Sequence, residues 1–377
     1  MEEQVHATKS TKGQFFAMCN QAIRDIVYAG GKAEHVIGYM ILSRHTSAKG
    51  QFKHRGSTAG AQAISKRGSF TYRESEKIIK WLEGNGFINK PEVDAENKPK
   101  KMQYKWLLNE LNDNSIVYLS NSLLDGTPGP GKDNPPMQRI INDTPFPTGI
   151  KITVKDARLD SLMVLLHLYQ HHDIAGSGGV DPRVGIYREW EHTDPIEFVD
   201  DTSPLLTVQE IKRAGTYLSD VASSDALYYI EDLDLINIRY KNAFNNLSKL
   251  GFMYEVLEIW DSNPLGSDDA EILYPLYIFC RHARESEPYL AATIHSALIN
   301  ADPDGCSIPD FFESIIRSDQ FRYAMPKEGA YPLSVFRLRF RPKTRDTGIG
   351  LDREKARASQ WEASIKQVGQ EEKDRQI

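Results

Sequence analysis

Apolar and polar positions alternate most regularly in residues 58–108, and the pattern predicts two helices followed by a β-hairpin. The first helix, expected at 58–66, carries small apolar residues that suit close packing against a partner helix. In the second helix Ile78, Ile79 and Leu82 recur at helical spacing and form an inward-facing stripe. The remaining positions of the second helix are mostly charged and are expected to face solvent.

The turn residues support the same order of elements. Gly68 is expected to take the positive φ of a tight turn between the two helices, and Ser69 or Thr71 to cap the second helix. Gly86 is expected to end that helix as a left-handed residue. Residues 87–108 then predict two strands around a polar turn.

The segment AISKRGSFTYRESEKIIKWLEGNGFI, with the hairpin after it, resembles the winged helix-turn-helix superfamily over about residues 30–108. Members usually place the second helix in the major groove of DNA and the wing over an adjacent phosphate backbone. The resemblance implies that polar and basic residues of the helices, the wing and the preceding loop contact DNA. These candidate DNA-binding residues are Lys49, Lys53, Arg55, Lys66, Arg67, Ser69, Thr71, Tyr72, Arg73, Glu76, Lys77, Lys80, Lys98, Lys100 and Lys101.

The outward side of the second helix carries the strongest signal for DNA contact. Arg73, Lys77 and Lys80 can donate to guanine or anchor on phosphate. Glu76 can accept a hydrogen bond from cytosine N4, which favours sequence-selective binding. The alternative is a solvated surface balanced by pairs such as Glu76–Lys80. The basic loop at 47–56 is either an arm that contacts DNA or an ordinary solvated loop.

Charge is distributed unevenly along the chain. The net charge is −6, yet residues 30–106 carry fifteen Lys/Arg against seven Asp/Glu. Residues 107–377 carry 28 basic and 42 acidic residues. A basic block on an acidic body is typical of a nucleic-acid module joined to a separate interaction body, although a basic face that is merely solvated would give the same count.

Two helices are predicted before the basic segment and a linker after it. Residues 14–29 place Phe15 and Phe16 on one apolar face and predict an amphipathic helix, and residues 33–45 predict another. Six of the nineteen prolines fall close together in the following part of the chain. We therefore expect a Pro/Gly-rich linker at 111–150.

A second, degenerate winged helix is predicted at about 156–282. The stretches KIIKWLEGNGFI and NAFNNLSKLGFM share an inward leucine on a helix, then glycine, phenylalanine and a strand. The wing tip expected at 267–271 is acidic, so this copy is expected to serve protein contacts or spacing, although its recognition helix carries Arg239, Lys241 and Lys249. The predicted elements are helix 156–172, strand 184–190, helices 208–220, 225–233 and 238–250, and strands 254–260 and 272–280.

The C-terminal part predicts helices at 289–299 and 308–318 and then a strand at 335–341. Arg337, Arg339 and Arg341 alternate with apolar residues in that strand, so they are expected to share one face. Such a row would meet nucleic-acid phosphates, meet an acidic protein surface, or be merely solvated.

These patterns together predict an α+β, mainly helical fold of tandem winged helix-turn-helix domains with a C-terminal helical and strand extension. The expected divisions are a DNA-binding winged-helix domain at 1–110, the linker at 111–150, a second winged-helix-like domain at 151–285, the extension at 286–350 and a charged tail at 351–377.

The composition indicates a cytoplasmic protein, and the expected DNA-binding function suggests a prokaryotic cytosol or nucleoid. No run of about eighteen apolar residues occurs, so no membrane association is expected, and the N-terminus lacks the apolar core of a secretion signal. Cys19, Cys280 and Cys306 are far apart, which favours a reducing compartment.

No pattern in the chain predicts catalysis, a cofactor or a metal site. The glycine-rich stretch at 176–179 lacks the Lys-Ser/Thr ending of a phosphate-binding loop. His167 and His171 have the spacing of metal ligands on a helix, but no third ligand stands at a telling distance. We expect the chain not to be an enzyme.

The sequence therefore predicts a sequence-selective protein that binds double-stranded DNA, either a transcription regulator or a replication initiator of the plasmid or mobile-element type. The alternative is a winged-helix interaction subunit of a larger complex without direct DNA readout. In either case a homodimer or a protein partner could use the acidic body.

Overall fold

The computed structural model describes residues 15–46, 55–91, 105–108, 116–126, 134–145, 152–172, 180–192, 197–198, 207–266, 270, 277–279, 320–325, 331–342, 349 and 356. These residues form an α+β fold in which helices pack against three separate antiparallel sheets. The predicted helices at 289–299 and 308–318 lie outside the described residues, as does the tail at 351–377 apart from residue 356.

The N-terminal half has the order of elements expected from the hydrophobic pattern, with two additional strands, Phe15–Cys19 and Arg55–Ser57. Its elements are β1 Phe15–Cys19, α1 Asn20–Tyr28, α2 Ala33–Arg44, β2 Arg55–Ser57, α3 Ala61–Gly68, α4 Tyr72–Gly84, β3 Ile88–Asn89 and β4 Trp106–Leu108. Strand β4 lies between β2 and β3 in a three-stranded sheet. Strand β2 includes Arg55 and Gly56, the last two residues of the basic loop that was expected to be either an arm contacting DNA or a solvated loop.

The helix predicted at 14–29 is wrong in its first residues, which form strand β1. Phe16 and Met18 alternate inward there, and β1 pairs with β5, Ile116–Ser120, about a hundred residues later in the chain. Apolar residues at the end of a helix and in a short strand give similar patterns, so the partner strand decides the outcome.

The predicted linker is also wrong where its residues are described. Strand β5 is followed by α5, Ser122–Asp125, and α6, Met137–Asn142. Leu123, Leu124, Met137 and Ile140 are fully buried and belong to the main hydrophobic core. Pro135 and Pro136 directly precede α6, so the described part of this segment packs on the helices and is not a free boundary between two domains.

The C-terminal half begins with a long buried helix and continues into a mixed region of strands and helices. Its elements are α7 Val154–Gln170, β6 Ile186–His192, β7 Glu197–Phe198, β8 Thr207–Leu218, α8 Asp220–Ala226, α9 Leu233–Lys249, β9 Met253–Trp260, β10 Tyr277–Phe279, β11 Gln320–Met325 and β12 Tyr331–Leu338. The predicted helices at 156–172 and 238–250 and strands at 184–190 and 254–260 are confirmed with shifted ends.

Two helix predictions in this half are wrong. Residues 207–218, expected to be helical, form β8, which pairs with β6 on one edge and with β11 on the other. The hydrogen bonds of two long partner strands outweigh the local helical pattern. The helix expected at 225–233 is absent, since α8 ends at Ala226 and α9 begins at Leu233.

The return strand of the second hairpin is likewise not the predicted one. Residues 277–279 pair with β11, whereas the antiparallel partner of β9 is β12. The sheet has the order β10-β11-β8-β6-β12-β9, with β7 paired to β8. Strand β12, expected in a C-terminal extension, is thus an interior strand of this sheet, and residues 261–330 separate it from β9 in the chain.

The two halves use strands in the same spatial order. In the N-terminal half the order is first, last and middle, β2-β4-β3, and in the C-terminal half β6-β12-β9 repeats it. In each case the last two helices before the hairpin, α3 with α4 or α8 with α9, contact each other.

One hydrophobic core runs through both halves. Helix α7 contacts α2 and α6, and the Arg139 side chain donates to the carbonyl oxygen of Leu250 at 3.0 Å. The guanidinium of Arg24 lies 4.7 Å from the ring centroid of Tyr228. In the part of the chain that the structure describes, no helix is long and apolar enough to cross a bilayer.

Candidate nucleic-acid interface

Helix α4 begins at a capping box formed by Thr71, one of the two capping residues that the sequence predicts. The Thr71 hydroxyl accepts from the Glu74 backbone N–H at 3.2 Å, and the Glu74 carboxylate accepts from the Thr71 backbone N–H at 2.8 Å. The hydrogen bonds from Thr71 lower the pKa of Glu74. Gly86 takes a φ of 75° just after the helix, which confirms the predicted stop.

The inward side of α4 is held tightly against α2. Ile78, Ile79 and Leu82 are buried, as their spacing predicts. A methyl group placed on Gly38 of α2 would lie 2.5 Å from Ile78 Cγ2, so the two helices approach more closely than any larger residue allows. The position and rotation of α4 are therefore set by packing before any ligand binds.

The outward side of α4 carries the residues that we call the α4 surface: Tyr72, Arg73, Glu76, Lys77 and Lys80. All five are exposed, and the Tyr72 ring is 57 % exposed. Within the described part of the chain, the side chains of these five residues form no hydrogen bond and no ion pair. The expected Glu76–Lys80 pair is not formed, and Glu83 instead pairs with Lys90 at 3.2 Å. The cations of α4 are thus available to an external anion.

A groove of about 580 Å³ continues this basic surface toward the base of the hairpin. Three lysines and two glutamates line it, together with the apolar side chains of Trp106 and Ile79. Its lining residues are Gly60, Ala61, Glu76, Ile79, Lys80, Glu83, Lys90, Pro91, Lys105 and Trp106. Lys90 and Lys105 were not predicted as contacts, although both are basic residues flanking the predicted turn.

Arg55 was predicted to contact DNA, and the structure contradicts this. Its side chain is buried, and Nη2 donates to the Ala17 carbonyl oxygen at 2.7 Å and to Thr46 Oγ1 at 2.9 Å. Burial lowers the pKa of this guanidinium. Arg55 therefore ties β2 to β1 and is not presented to a ligand.

Arg67 is also engaged within the protein. Asp125, which sequence reasoning missed, accepts from Arg67 Nε at 2.8 Å and from Arg44 Nη2 at 2.7 Å. This carboxylate links α2 and α3 to α5, and its segment was assigned to the linker. Burial raises the pKa of Asp125, but the two guanidinium groups outweigh burial and lower it overall.

The turn between α3 and α4 differs in detail from the prediction. Ser69, not Gly68, takes the positive φ of 61°, and its hydroxyl accepts from Asn142 Nδ2 at 3.0 Å. Gly68 is required instead because a Cβ there would overlap the Phe70 ring. Lys66 is exposed beside this turn. The predicted contacts Lys49, Lys53, Lys98, Lys100 and Lys101 lie outside the described residues.

The helix of the C-terminal half that corresponds to α4 directs its arginine inward. Arg239 of α9 donates to Asp160 of α7 at 2.8 and 2.6 Å, and Tyr229 donates to the same carboxylate at 2.6 Å. Burial lowers the pKa of Arg239, but Asp160 more than offsets it and raises the pKa overall. Lys241 and Lys249 remain exposed on α9.

The arginines of β12 do not form the exposed row that the alternation predicts. Strand β12 ends at Leu338, where the Arg339 backbone N–H already bonds to the Phe252 carbonyl oxygen at 2.9 Å. Arg337 and Arg341 are buried, and each has interactions within the protein. The interpretation as a solvated row is therefore wrong for Arg337 and Arg341.

His167 and His171 do not form a metal site among the described residues, where no group of three or more candidate ligands occurs. Their rings lie 4.7 Å apart, and burial lowers the pKa of His167 to about 3. The His167 side chain is therefore neutral and packs in the interior on the buried side of α7.

The interface is therefore assembled from α4 and the base of its hairpin, with the neighbouring arginines used to hold it in place. No protein-family model, no curated protein and no solved structure matches this chain.

Proposed function

We propose that residues 30–108 form a winged helix-turn-helix module that binds double-stranded DNA, with α4 as the helix that reads the major groove. The single observation that carries the proposal is the α4 surface, where three cations project from a capped and tightly packed helix and form no ion pair with any described residue. Such cations repel one another and favour an external anion. A helix held in advance loses little conformational freedom when it binds.

Base contacts and phosphate contacts divide along this surface. Arg73 and Lys77 stand in the first half of α4, the part of a recognition helix that meets base edges, and Glu76 between them can accept from cytosine N4. Lys80 and Lys105 lie along the groove toward the hairpin, where phosphate contact requires only charge. This division supports sequence-selective binding, as a transcription regulator or a replication initiator of the plasmid type requires.

We further propose that the C-terminal half contains a second, degenerate winged helix. The repeated strand order supports this interpretation, as does the pair of contacting helices before the hairpin. Because Arg239 is bound to Asp160, the corresponding helix offers only Lys241 and Lys249 as exposed cations. The exposed acidic residues around α8 and α9 favour a second candidate role for the whole protein, that of an interaction subunit without DNA readout.

Fluorescence anisotropy with labelled duplexes at two salt concentrations tests the proposal. A preferred duplex is first selected from a randomised library. Arg73→Ala and Lys77→Ala should each weaken binding to this preferred duplex by about 1–3 kcal/mol, roughly five- to 150-fold. Lys105→Ala should weaken all duplexes alike and reduce the dependence of affinity on salt. Lys249→Ala, an exposed lysine on α9, is the matched control and should bind like the parent.

A parent protein that binds no duplex at low salt would refute DNA binding and leave the interaction subunit. Binding by the parent with unchanged affinity in both α4 variants would assign the DNA contact to another part of the chain.

A further inference from the structure

The beginnings of α8 and α9 carry large apolar side chains that no described residue covers. Val221 is 72 % exposed, Leu233 is 66 % exposed and Ile238 is 49 % exposed. The two helix starts are adjacent, because the Asn237 side chain donates to Asp220 at 2.8 Å and accepts from Ser223 at 2.6 Å. Leu233 lies one helical turn before Asn237 on α9, and Val221 and Ile238 directly follow Asp220 and Asn237 in the chain. We call them, with their surrounding exposed residues, the α8–α9 surface.

The charged residues of this surface are mainly acidic. Asp220, Asp225, Glu231, Asp232 and Asp234 are exposed on α8, α9 and the turn between them, against two exposed lysines, Lys241 and Lys249, further along α9. Carboxylates in these numbers repel a phosphate backbone. An exposed apolar cluster with a polar rim is instead typical of a surface that binds protein.

The α4 surface has the complementary pattern. It presents one large, exposed ring, that of Tyr72, beside Arg73, Lys77 and Lys80. The α4 surface lies on the second helix of the α3–α4 pair, and the α8–α9 surface lies on the starts of both helices of the α8–α9 pair. The α8–α9 surface is mainly acidic, whereas the α4 surface carries three cations beside Glu76. Apolar groups would meet apolar groups at the centre, and each rim would supply the charge that the other lacks.

We propose that the α8–α9 surface binds the α4 surface of a second copy of this chain. The ring of Tyr72 packs against Ile238 of the other copy, and the cations of α4 face its carboxylates, including Asp234, which lies one helical turn before Ile238. Each copy carries both surfaces, so two reciprocal contacts give a closed dimer, whereas a single contact gives an open chain. Because the same cations of α4 serve both ligands, self-association and DNA binding compete; this competition rests on the proposed function, but the association itself does not.

Sedimentation velocity of the full-length chain over a range of concentrations, at about 50 mM and 500 mM salt, tests the association. The parent should gain mass with concentration at low salt and lose it at high salt, where charges are screened. Ile238→Lys, which places a cation against the cations of α4, should weaken the association at least about tenfold. Ser248→Lys adds the same charge at an exposed position near the end of α9 and should associate like the parent.

A charge exchange identifies the partner surface. Lys77→Glu and Asp234→Lys should each abolish self-association alone, and a mixture of the two variants should restore it, because one native and one reversed contact then form. Circular dichroism confirms that each variant is folded. Restoration in the mixture supports the pairing; a mixture that stays monomeric overturns it.

The proposal is also overturned by a parent that remains monomeric at all concentrations, which would leave the α8–α9 surface to a different protein. It is overturned as well if Ile238→Lys associates like the parent. Anisotropy then reads the competition separately: Ile238→Lys should bind duplex more tightly than the parent at concentrations where the parent associates. A chain that associates as described but binds no duplex would refute only the proposed function.

Discussion

Replacing Arg239 by methionine removes the cation of a buried ion pair while keeping most of its apolar stem. Arg239 joins α9 to Asp160 of α7 through two hydrogen bonds of 2.8 and 2.6 Å. The sequence left open a DNA contact through Arg239, which lies on the recognition helix of a copy expected to serve protein contacts or spacing. Its loss therefore distinguishes a contact to DNA from a contact within the core.

The expected cost follows from the burial of the pair. The side chains of Arg239 and Asp160 are only 12 % and 2 % exposed, so the small contribution of surface pairs does not apply. Breaking a buried pair leaves an uncompensated charge and costs about 3–5 kcal/mol. The double variant Asp160→Asn with Arg239→Met should recover at least half of this loss, since the neutral amide still accepts from Tyr229.

The loss should also depend on pH. Burial raises the pKa of Asp160, while Arg239 lowers it. Without Arg239 the pKa rises further above its value in the unfolded chain. A carboxyl group of this kind stabilises the fold fully below its unfolded pKa of about 4, and this stabilisation is lost as pH rises through the folded value. The variant should therefore lose more stability, relative to the parent, at pH 8 than at pH 5.

Urea denaturation followed by circular dichroism at both pH values measures these differences. Lys241→Met, which removes an exposed cation two residues away on α9, should change stability by less than about 0.5 kcal/mol. Duplex affinity of Arg239→Met, measured where the protein is folded, should equal that of the parent. A loss below about 1 kcal/mol, or a loss that is equal at pH 5 and pH 8, would refute the assignment of a buried charge pair.

Other predictions concern how α4 is held. Thr71→Ala should cost about 1 kcal/mol, because the capping bond to the Glu74 N–H is lost; the pKa of Glu74 should rise toward its usual value in a proton titration followed by NMR, and an unchanged pKa would contradict the cap. Because the folded pKa of Glu74 is lowered, the stabilisation by the ionised Glu74 carboxylate is present above its unfolded pKa. It is lost as pH falls through the folded pKa. Gly38→Ala should destabilise the protein by about 1–3 kcal/mol, since its methyl group would lie 2.5 Å from Ile78 Cγ2, and should also weaken DNA binding. Gly84→Ala has open space around the new methyl group, so it should be neutral or stabilising by up to about 1 kcal/mol in the same denaturation assay, and equal losses at both glycines would rule out the steric explanation.

The surroundings of the candidate site were only partly predictable from the sequence. The exposed positions of α4 follow from helical spacing alone, but Arg55 and Arg67 have the same basic character and are used differently. Arg55 binds the carbonyl oxygen of Ala17, and Arg67 binds Asp125. Neither partner can be inferred locally, because both lie 38 or more residues away in the chain.

The sequence by itself determined the elements whose signals are local. Helix α4 is an example: its capping residues, its inward stripe and its stopping glycine all lie within about sixteen positions, and each acts through contacts inside that window. The strand that follows it, the long helix α7 and the absence of a membrane-length apolar run are determined in the same way.

Only the tertiary structure decided the elements that depend on distant partners. Residues 207–218 form a strand because β6 and β11 pair with both of its edges, and β9 pairs with β12 across residues 261–330. A strand forms its hydrogen bonds with another segment, so which strands pair depends on which segments the fold brings side by side. Side chains depend on distant partners in the same way: Asp160 draws Arg239 inward, whereas Arg73 and Lys77 meet no such partner in the described part of the chain and stay exposed.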